Sequence, residues 1–578
     1  MQTRTTQNIF VFALFTFFVG ITYANSLHAP FLFDDTHNIQ KNHYLKLNTL
    51  SVENLRLAAI KSPIRNRPVA NISFALNYYF HRDWLPGYHL VNIAIHLLTG
   101  IFLFLFLNHT FRLLKPAKTD TEAHYLALCA GLLWLVHPLQ TQAVTYLVQR
   151  MASLSAMFYI LAMLLYVVGR LAPKRSAKQI TAFTGCGLAG LLALGSKEIA
   201  ATLPFFIFLY EWYFFQNLDR QWLKKHIPAV LAVLIFLAGM VMFFLGHNPI
   251  HSIMGGFKSR SFTLSERVLT EFRVVVFYLS LILFPHPGRL SLTHDFPIST
   301  SLLSPPTTLL SILVLGGMLL AGIATARKNR FLSFALLWFL GNLVIESSII
   351  PLEIIFEHRN YLPSMLIIAL PVLAAPKLIH STKVQAIIFC ALVLLLSFWT
   401  QQRNQAWGDQ FTFWNDCASK SPNNARAHAG LGSYLVHHNQ PEAALPHFQK
   451  ALALKKNDLD ALFGIGTVMI KQNRPKQAIL YFRKALRVSP NFSKSHYNMG
   501  IALEEAGKIG KATLSYRRAI QINPYYSEAY NNLGILYGKE GQLGLAIAQF
   551  RKALELDPDD QFAKQNLSRA QAMLRQKK

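Results

Sequence analysis

The chain has 578 residues, which is too many for a single hydrophobic core. Hydrophobic residues make up 52% of it and charged residues only 15%, a composition that excludes an ordinary soluble protein. The formal charge of +28 does not indicate nucleic-acid binding, because many of the basic residues lie in short loops between apolar runs, where they orient a membrane protein.

Eleven apolar runs before about residue 400 are predicted to cross a membrane as helices. A helix crosses a hydrocarbon layer about 30 Å thick at about 1.5 Å per residue. The first run is interpreted as an uncleaved helix rather than a signal peptide, since other spans follow it. The predicted spans are residues 9–25, 88–111, 123–137, 150–169, 179–195, 199–215, 227–246, 306–325, 331–350, 361–375 and 384–400. Residues 1–400 are therefore predicted to form an all-α, multispanning helix bundle.

The basic loops predict the direction of these crossings. Clusters such as residues 170–178 and 327–330 fall on one side if residues 266–284 form a helix that does not cross. By the positive-inside rule this side, which includes the N-terminus, is cytoplasmic. A first outer loop of about residues 26–87 and the whole C-terminal region are then outside, in a periplasm or a lumen. A bacterial inner membrane is the favoured location.

Two adjacent carboxylates, Asp34 and Asp35, follow the first span at the outer surface. Such a pair is costly near a membrane and is not needed for folding. One of them, with Asp35 favoured, can act as a general base that takes the proton of an acceptor hydroxyl as it attacks a sugar. A metal ligand, a helix cap or a solvated turn are the alternative interpretations.

Three cations and one histidine at predicted outer positions complete the candidate site. Arg150 and Arg359 lie at helix ends and Lys197 lies in a tight turn, where cationic donors can bind the phosphate of a sugar donor. Snorkelling is the alternative for the arginines, and Glu198 can neutralise Lys197. His137 is a candidate cavity residue. We expect no metal site and no certain cofactor, because the four cysteines are scattered and three lie in apolar runs.

Residues 401–424 are predicted to form a linker helix, and residues 425–578 an α-solenoid of four tetratricopeptide repeats with a C-terminal capping helix. Small residues recur every 34 positions, where the two helices of a repeat cross closely. The glycines are Gly432, Gly466, Gly500 and Gly534. Such arrays usually present a concave groove for peptide. The candidate acceptor-binding residues are Tyr497, Asn498, Asn531 and Asn532, although packing and simple solvation are alternatives.

An ordered set of short motifs resembles one family along nearly the whole chain. The motifs are Phe33-Asp34-Asp35, Arg67-Pro68, Gly87-Tyr88-His89, His137-Pro138, Lys197-Glu198 and Arg359 with Tyr361-Leu362-Pro363. Together with the repeats they resemble the transmembrane and tetratricopeptide repeat O-mannosyltransferases and their bacterial relatives. These look like part of the type C glycosyltransferases. Residues 139–142 depart from the family pattern, since many relatives have a second His and a Glu there.

The resemblance implies an enzyme that moves a mannose-like sugar from a polyprenyl-phosphate carrier to Ser/Thr hydroxyls of proteins. Transfer would take place on the non-cytoplasmic face of the bilayer, with Asp34 or Asp35 as the catalytic acidic residue of the first outer loop. The predicted partners are therefore the lipid-linked sugar, a protein or peptide acceptor bound by the repeats, and the bilayer, with no role for nucleic acid.

Two other functions are compatible with the residues. An oligosaccharide ligase uses a polyprenyl diphosphate carrier, but it is expected to have a large outer loop late in the chain, whereas the longest loop here is the first. A non-catalytic membrane anchor could present the repeats as a scaffold. Such an anchor has no use for aspartates, arginines and lysine gathered on one face.

Overall fold

The computed structural model describes residues 2–114, 119–245, 249–258 and 260–576. The end of the predicted span 227–246 and the last two residues of the predicted repeat domain lie outside this set. The described residues form helices, turns and loops, with no strand among them. The chain divides into a membrane unit, Met1–Leu292 with Phe296–Phe413, and a repeat unit, Thr293–Asp295 with Trp414–Lys578.

The described residues of the membrane unit form sixteen α-helices and the start of a seventeenth. They are α1 Gln2–Tyr23, α2 Val52–Lys61, α3 Pro68–His81, α4 Leu85–Arg112, α5 Asp120–Leu135, α6 Thr141–Val144, α7 Arg150–Leu171, α8 Ala177–Leu194, α9 Leu203–Tyr210, α10 Arg220–Leu245, α11 Pro249–Phe257, α12 Leu264–Leu283, α13 Thr307–Thr325, α14 Arg330–Leu343, α15 Ser364–Leu378, α16 Thr382–Gln405 and α17 Gln410–Lys420.

Polar caps determine where several of these helices begin. At α12, the Thr263 hydroxyl accepts a hydrogen bond from the amide of Glu266 at 3.3 Å, and the Glu266 carboxylate accepts one from the amide of Thr263 at 2.7 Å. This reciprocal pair satisfies two amides that have no partner inside the helix. Thr119 and Ser176 cap α5 and α8 in the simpler way, each with its hydroxyl.

Six helices among the described residues are long and apolar enough to cross a membrane. They are Thr6–Ser26, Leu85–Arg112, Leu147–Leu171, Ala177–Leu194, Thr307–Thr325 and Thr382–Gln405. Arg330–Leu343 and Ser364–Leu378 are shorter apolar helices. The all-helical, multispanning architecture predicted from the sequence is confirmed, while the count of eleven crossings stays a prediction. The segment predicted not to cross forms α12, which is not one of the six.

The repeat unit continues as a regular series of helix pairs. After α17 come α18 Ala425–His437, α19 Pro441–Leu454, α20 Leu459–Lys471, α21 Pro475–Val488, α22 Ser493–Glu505, α23 Ile509–Ile522, α24 Ser527–Lys539, α25 Leu543–Leu556 and the terminal α26 Gln561–Gln576. The boundary between the two units falls within α17. The predicted linker at residues 401–424 covers the end of α16 and all of α17, and the predicted domain limits stay predictions.

Each repeat is closed by a glycine on its first helix that faces an aromatic ring on its second. The pairs are Gly432 with Phe448, Gly466 with Phe482, Gly500 with Tyr516 and Gly534 with Phe550. The ring of Tyr516 is fully buried. A Cβ atom at Gly500 would lie 2.5 Å from the nearest carbon of that ring, which leaves no room for a side chain. Glycine therefore recurs every 34 residues because the two helices of each repeat cross closely at this position.

We expect Gly500→Ala to destabilise its repeat by about 1–3 kcal/mol, because the added methyl overpacks a closed contact. Gly538→Ala is the matched control, since nothing lies within 4 Å of the corresponding Cβ position. That change should stabilise α24 by roughly 0.5–1 kcal/mol. Hydrogen exchange of the full-length protein would measure both, and equal protection of residues 493–522 in the two variants would contradict the crossing.

Candidate functional site

The loop that carries the two aspartates changes direction sharply at Phe33. Phe33 has a φ of 47°, in a region that residues other than glycine rarely adopt. The backbone then enters a short π-helix, Thr36–Gln40, so Asp34 and Asp35 lie in the turn between them. Strain of this kind costs about 1–3 kcal/mol and persists only where surrounding contacts enforce it. The contacts of Asp34 and Asp35 hold the backbone at Phe33 in this conformation.

Asp35 is held by backbone amides and is 1% exposed. Its Oδ1 accepts a hydrogen bond from the amide of Val148 at 2.7 Å, and its Oδ2 accepts one from the amide of Leu32 at 3.1 Å. Burial raises the pKa of Asp35 to about 8, although the two amides act to lower it. Asp35 therefore fastens its loop to the segment around Val148, and near neutral pH it is largely protonated.

Asp34 is only partly buried. Its backbone amide donates a hydrogen bond to the hydroxyl of Tyr146 at 3.0 Å. Burial raises the pKa of Tyr146 well above its usual value, and the charges of Asp34 and Asp35 raise it further. The tyrosine thus stays protonated beside Asp34. Of the two predicted aspartates, Asp34 is the less buried.

Arg150 is fully buried and joins three helices. Its Nε donates to Oδ1 of Asn92 at 2.6 Å, and its Nη2 donates to Oδ1 of Asn77 at 2.6 Å and to the Tyr88 carbonyl at 3.0 Å. Nη1 donates to the Ser73 carbonyl at 3.3 Å. The nitrogens of the guanidinium all donate hydrogen bonds to α3 and α4. This geometry favours a structural role, in which Arg150 holds the helices together as a clamp, over a role as a phosphate ligand.

Residues 138–149, called the linking segment, run from His137 to Arg150 beneath the aspartate loop. Gln142 Oε1 lies 2.8 Å from both the amide and Nδ1 of His358. His137 itself is buried, with Nε2 3.0 Å from the Ile282 carbonyl and Nδ1 accepting from the amide of Leu139 at 3.3 Å. Both nitrogens of His137 have structural partners. The linking segment therefore contacts the aspartate loop at one end and the region of His358 at the other.

A network of charged side chains, called the ion cluster, lies around His358. Its members are Arg67, Lys197, Glu198, Arg267, Glu271, Glu346 and Arg359. Lys197 Nζ lies 2.7 Å from Glu346 Oε1, with side chains 4% and 9% exposed. Arg67 and Glu198, 3.0 Å apart, are 22% and 42% exposed and form the open edge of the cluster. Lys197 is thus neutralised by Glu346 rather than by its neighbour Glu198.

The deeper half of the ion cluster is held by the segment after α14. Arg267 Nη2 lies 2.8 Å from Glu271 Oε1, and Arg359 Nη1 lies 3.9 Å from the same oxygen. Arg359 also donates to the carbonyls of Ile354 at 2.8 Å and Glu353 at 2.6 Å. Its Nε is buried and makes no hydrogen bond within the described residues. A buried guanidinium with a spare donor is a candidate anion ligand.

Burial lowers the pKa of His358 well below its usual value, and the charges of Lys197, Arg359 and Arg67 lower it further. These three cations are therefore all close enough to affect the imidazole of His358, although they come from distant parts of the sequence. Two of them, Lys197 and Arg359, are the cations predicted to bind phosphate. Arg150 is hydrogen-bonded elsewhere, beside the aspartate loop.

Sequence reasoning named Glu198 but missed Glu271 and Glu346 as members of the ion cluster. Glu346 lies in the predicted span 331–350, and Glu271 with Arg267 lies in the predicted non-crossing helix. A charged residue within an apolar run is costly and usually functional, which is the signal that could have identified them. Across the described ranges, no group of three or more His, Cys, Asp or Glu side chains is arranged to hold a metal ion.

In the repeat unit, asparagines spaced by 34 residues form a ladder along successive first helices. Asn498 Nδ2 donates to the Thr467 hydroxyl at 3.2 Å. Asn532 Nδ2 donates to the Tyr497 hydroxyl at 3.2 Å, and Asn566 Nδ2 donates to Asn531 Oδ1 at 3.0 Å. The four predicted acceptor-binding residues therefore each take part in a polar contact between successive first helices. Asn566 and Thr467 take part in the same contacts, and the 34-residue spacing was the available signal for Asn566.

Protein-family profiles agree with the predicted repeats. Tetratricopeptide-repeat family profiles match residues 435–502 and 527–560, and a TPR-repeat profile matches residues 505–541. The solved structure of YrrB, described as a TPR protein with an unusual peptide-binding site, is 24% identical. That match covers 33% of this chain and 96% of YrrB, with a TM-score of 0.24.

Named relatives extend the similarity to the membrane unit. Protein O-mannosyl-transferase Tmtc3 of Drosophila melanogaster is 26% identical over 76% of this chain and 54% of its own length. Protein O-mannosyl-transferase F38B6.6 of Caenorhabditis elegans is 23% identical over 75% of this chain and 61% of its own length. The resemblance inferred from the motifs is confirmed. The chain spans little more than half the length of these relatives.

Proposed function

We propose that this protein is a membrane glycosyltransferase that moves a sugar from a polyprenyl-phosphate carrier to Ser/Thr hydroxyls of proteins. The main support is the pairing of a partly exposed Asp34 with a cation-rich cluster, connected through the linking segment. The named relatives are protein O-mannosyl-transferases, which supports a mannose-like sugar. The basic loops support a cytoplasmic N-terminus and a reaction on the opposite face, in a bacterial periplasm or a lumen.

In this proposal Asp34 is the general base. It takes the proton of the acceptor hydroxyl while the hydroxyl oxygen bonds to the anomeric carbon of the sugar. The bond between that carbon and the phosphate oxygen breaks at the same time, and polyprenyl phosphate leaves with the bonding electron pair. Direct attack inverts the anomeric centre. Asp35 and Tyr146 position the loop, so Asp34 is proposed as the base although the sequence alone favours Asp35.

The donor phosphate is proposed to bind Lys197 and Arg359. Arg359 has a buried Nε that makes no hydrogen bond within the described residues, and Lys197 carries a compact charge close to the exposed Arg67–Glu198 edge. Arg150 and His137, also predicted from the sequence to line the donor site, take positioning roles because their polar atoms are already bonded to protein groups.

The asparagine ladder is proposed to bind the protein acceptor. Asn498, Asn531 and Asn532 keep amide groups that are not all used by the ladder, and Tyr497 adds a hydroxyl. Side-chain amides can pair with the backbone of an extended peptide without reading its sequence. The repeats would then supply acceptor affinity rather than chemistry.

The deciding experiment measures release of polyprenyl phosphate by purified full-length protein. Radiolabelled polyprenyl-phosphate mannose is supplied with a Ser/Thr-containing peptide, and polyprenyl-diphosphate oligosaccharide is supplied in a parallel reaction. We expect the first donor alone to be consumed, with label appearing on the peptide. Consumption of only the diphosphate donor would support the ligase, and consumption of neither would support the non-catalytic anchor.

A further inference from the structure

The Lys197–Glu346 pair occupies the position proposed for the donor phosphate. Glu346 comes three residues after the end of α14, and its Oε1 lies 2.7 Å from Lys197 Nζ. Its other oxygen, Oε2, is buried and accepts no hydrogen bond from the part of the chain that the structure describes. A buried carboxylate oxygen without a donor is unfavourable. Glu346 is therefore only partly paired in this position.

Lys197 and Glu346 each stabilise the charged form of the other. Burial lowers the pKa of Lys197, and the carboxylate of Glu346 opposes this effect. The 2.7 Å separation of Lys197 Nζ and Glu346 Oε1 is typical of a charge-assisted hydrogen bond between a lysine cation and a glutamate anion.

With all three of its carboxylates ionised, which requires a pH above the pKa of about 7 to which burial raises Glu271, the ion cluster carries one positive charge in excess. It contains four cations, Arg67, Lys197, Arg267 and Arg359, and three carboxylates, Glu198, Glu271 and Glu346. The adjacent pair of Arg260 and Glu353 adds no net charge. A phosphodiester that links a lipid to one sugar carries a single negative charge, which balances the cluster. A diphosphate diester carries two and would leave an uncompensated buried charge, which is costly.

We propose that Glu346 is a resident counter-ion that the donor phosphate displaces from Lys197, and that it thereby selects a singly charged phosphodiester donor. This proposal rests on the proposed function, because it takes Lys197 and Arg359 as the phosphate ligands. Glu346 keeps its charge when it moves, so the loaded cluster is neutral. In the free protein it prevents Lys197 from being left buried and unpaired.

The test compares wild type with Glu346→Gln in full-length, detergent-solubilised protein. The probes are polyprenyl-phosphate mannose and polyprenyl-diphosphate N-acetylglucosamine. Without lipid, Glu346→Gln should melt at a lower temperature, because Lys197 loses its partner. The phosphodiester should raise the melting temperature of Glu346→Gln more than that of wild type and bind it about tenfold more tightly or better. The affinity ratio of diphosphate to phosphodiester should also rise, since the variant cluster has two excess charges.

Two further variants separate exchange from a merely structural role. Lys197→Met combined with Glu346→Gln removes both charges, so it should regain most of the thermal stability and lose the tighter binding. Glu346→Asp keeps the charge on a shorter side chain and should change affinity in the same direction as Glu346→Gln, by less. Glu346→Asp replaces Glu346→Gln in the binding test if Glu346→Gln does not fold.

Equal lipid-induced shifts in wild type and in the Glu346 variants would overturn the exchange, as would an unchanged ratio between the two lipids. Tight phosphodiester binding by the double variant would exclude Lys197 as the phosphate ligand and overturn it as well. Sugar transfer by wild type together with either result would leave the proposed function standing. Tighter binding by Glu346→Gln without any transfer by wild type would support the exchange and contradict the enzyme.

Discussion

Asp34→Asn is expected to lower kcat for sugar transfer by about 10²–10⁴-fold while leaving donor binding and folding close to wild type. The substitution keeps the size of the side chain but removes the group that accepts the hydroxyl proton. The backbone amide of Asp34, which donates to the Tyr146 hydroxyl at 3.0 Å, is unaffected. Single-turnover transfer of radiolabelled sugar, with donor binding measured on the same preparation, checks this result.

Asp35→Asn is the matched control and should fail in a different way. Asp35 accepts hydrogen bonds from two backbone amides with two oxygens, whereas asparagine offers one oxygen and turns an NH₂ group toward the other amide. A buried amide left without an acceptor costs about 1–3 kcal/mol. Asp35→Asn should therefore lower the melting temperature, with kcat reduced far less than in Asp34→Asn. An inactive but fully stable Asp35→Asn beside an active Asp34→Asn would instead make Asp35 the base.

The fold could be predicted from the sequence because its signals are local or periodic. Apolar runs indicate membrane helices whatever their neighbours are. The repeats are likewise fixed by spacing, since a glycine at position 500 and an aromatic ring at position 516 recur together every 34 residues. The number of crossings is harder to predict, because α12 combines an apolar second half with Arg267 and Glu271 in its first half.

The site could be predicted only in part because its hydrogen bonds connect distant segments. The aspartate pair was recognisable from its position after the first span. Nothing in the local sequence indicates that Lys197 pairs with Glu346, 149 positions later, rather than with the adjacent Glu198. Likewise, a charge at a helix end predicts a solvent-facing or ligand-facing cation, and only the packing of other helices reveals whether its donors are already used.

Arg150 provides the clearest case, and Arg150→Lys is expected to destabilise the membrane unit by several kcal/mol, because each buried acceptor left without a donor costs about 1–3 kcal/mol. The guanidinium reaches Asn92, Asn77 and two carbonyls in four directions. Its face also packs on the ring of Phe74, 4.3 Å from the ring centre. A lysine keeps the charge but has a single ammonium, so it cannot satisfy two asparagine oxygens on different helices. The thermal melting temperature of the full-length protein measures the loss.

Arg56→Lys is the control at an exposed arginine. Arg56 pairs with Glu53 at 2.8 Å and the two side chains are 59% and 60% exposed, so the change should leave the melting temperature close to that of wild type. The two possible roles of Arg150 predict different results. If Arg150 binds the donor phosphate, its substitution weakens donor binding without lowering the stability of the fold. If Arg150→Lys melts like wild type but binds polyprenyl-phosphate mannose at least about tenfold more weakly, Arg150 belongs to the donor site as the sequence predicted. A lower melting temperature, with donor affinity retained in the folded fraction, identifies it as the clamp that holds the linking segment beneath Asp34.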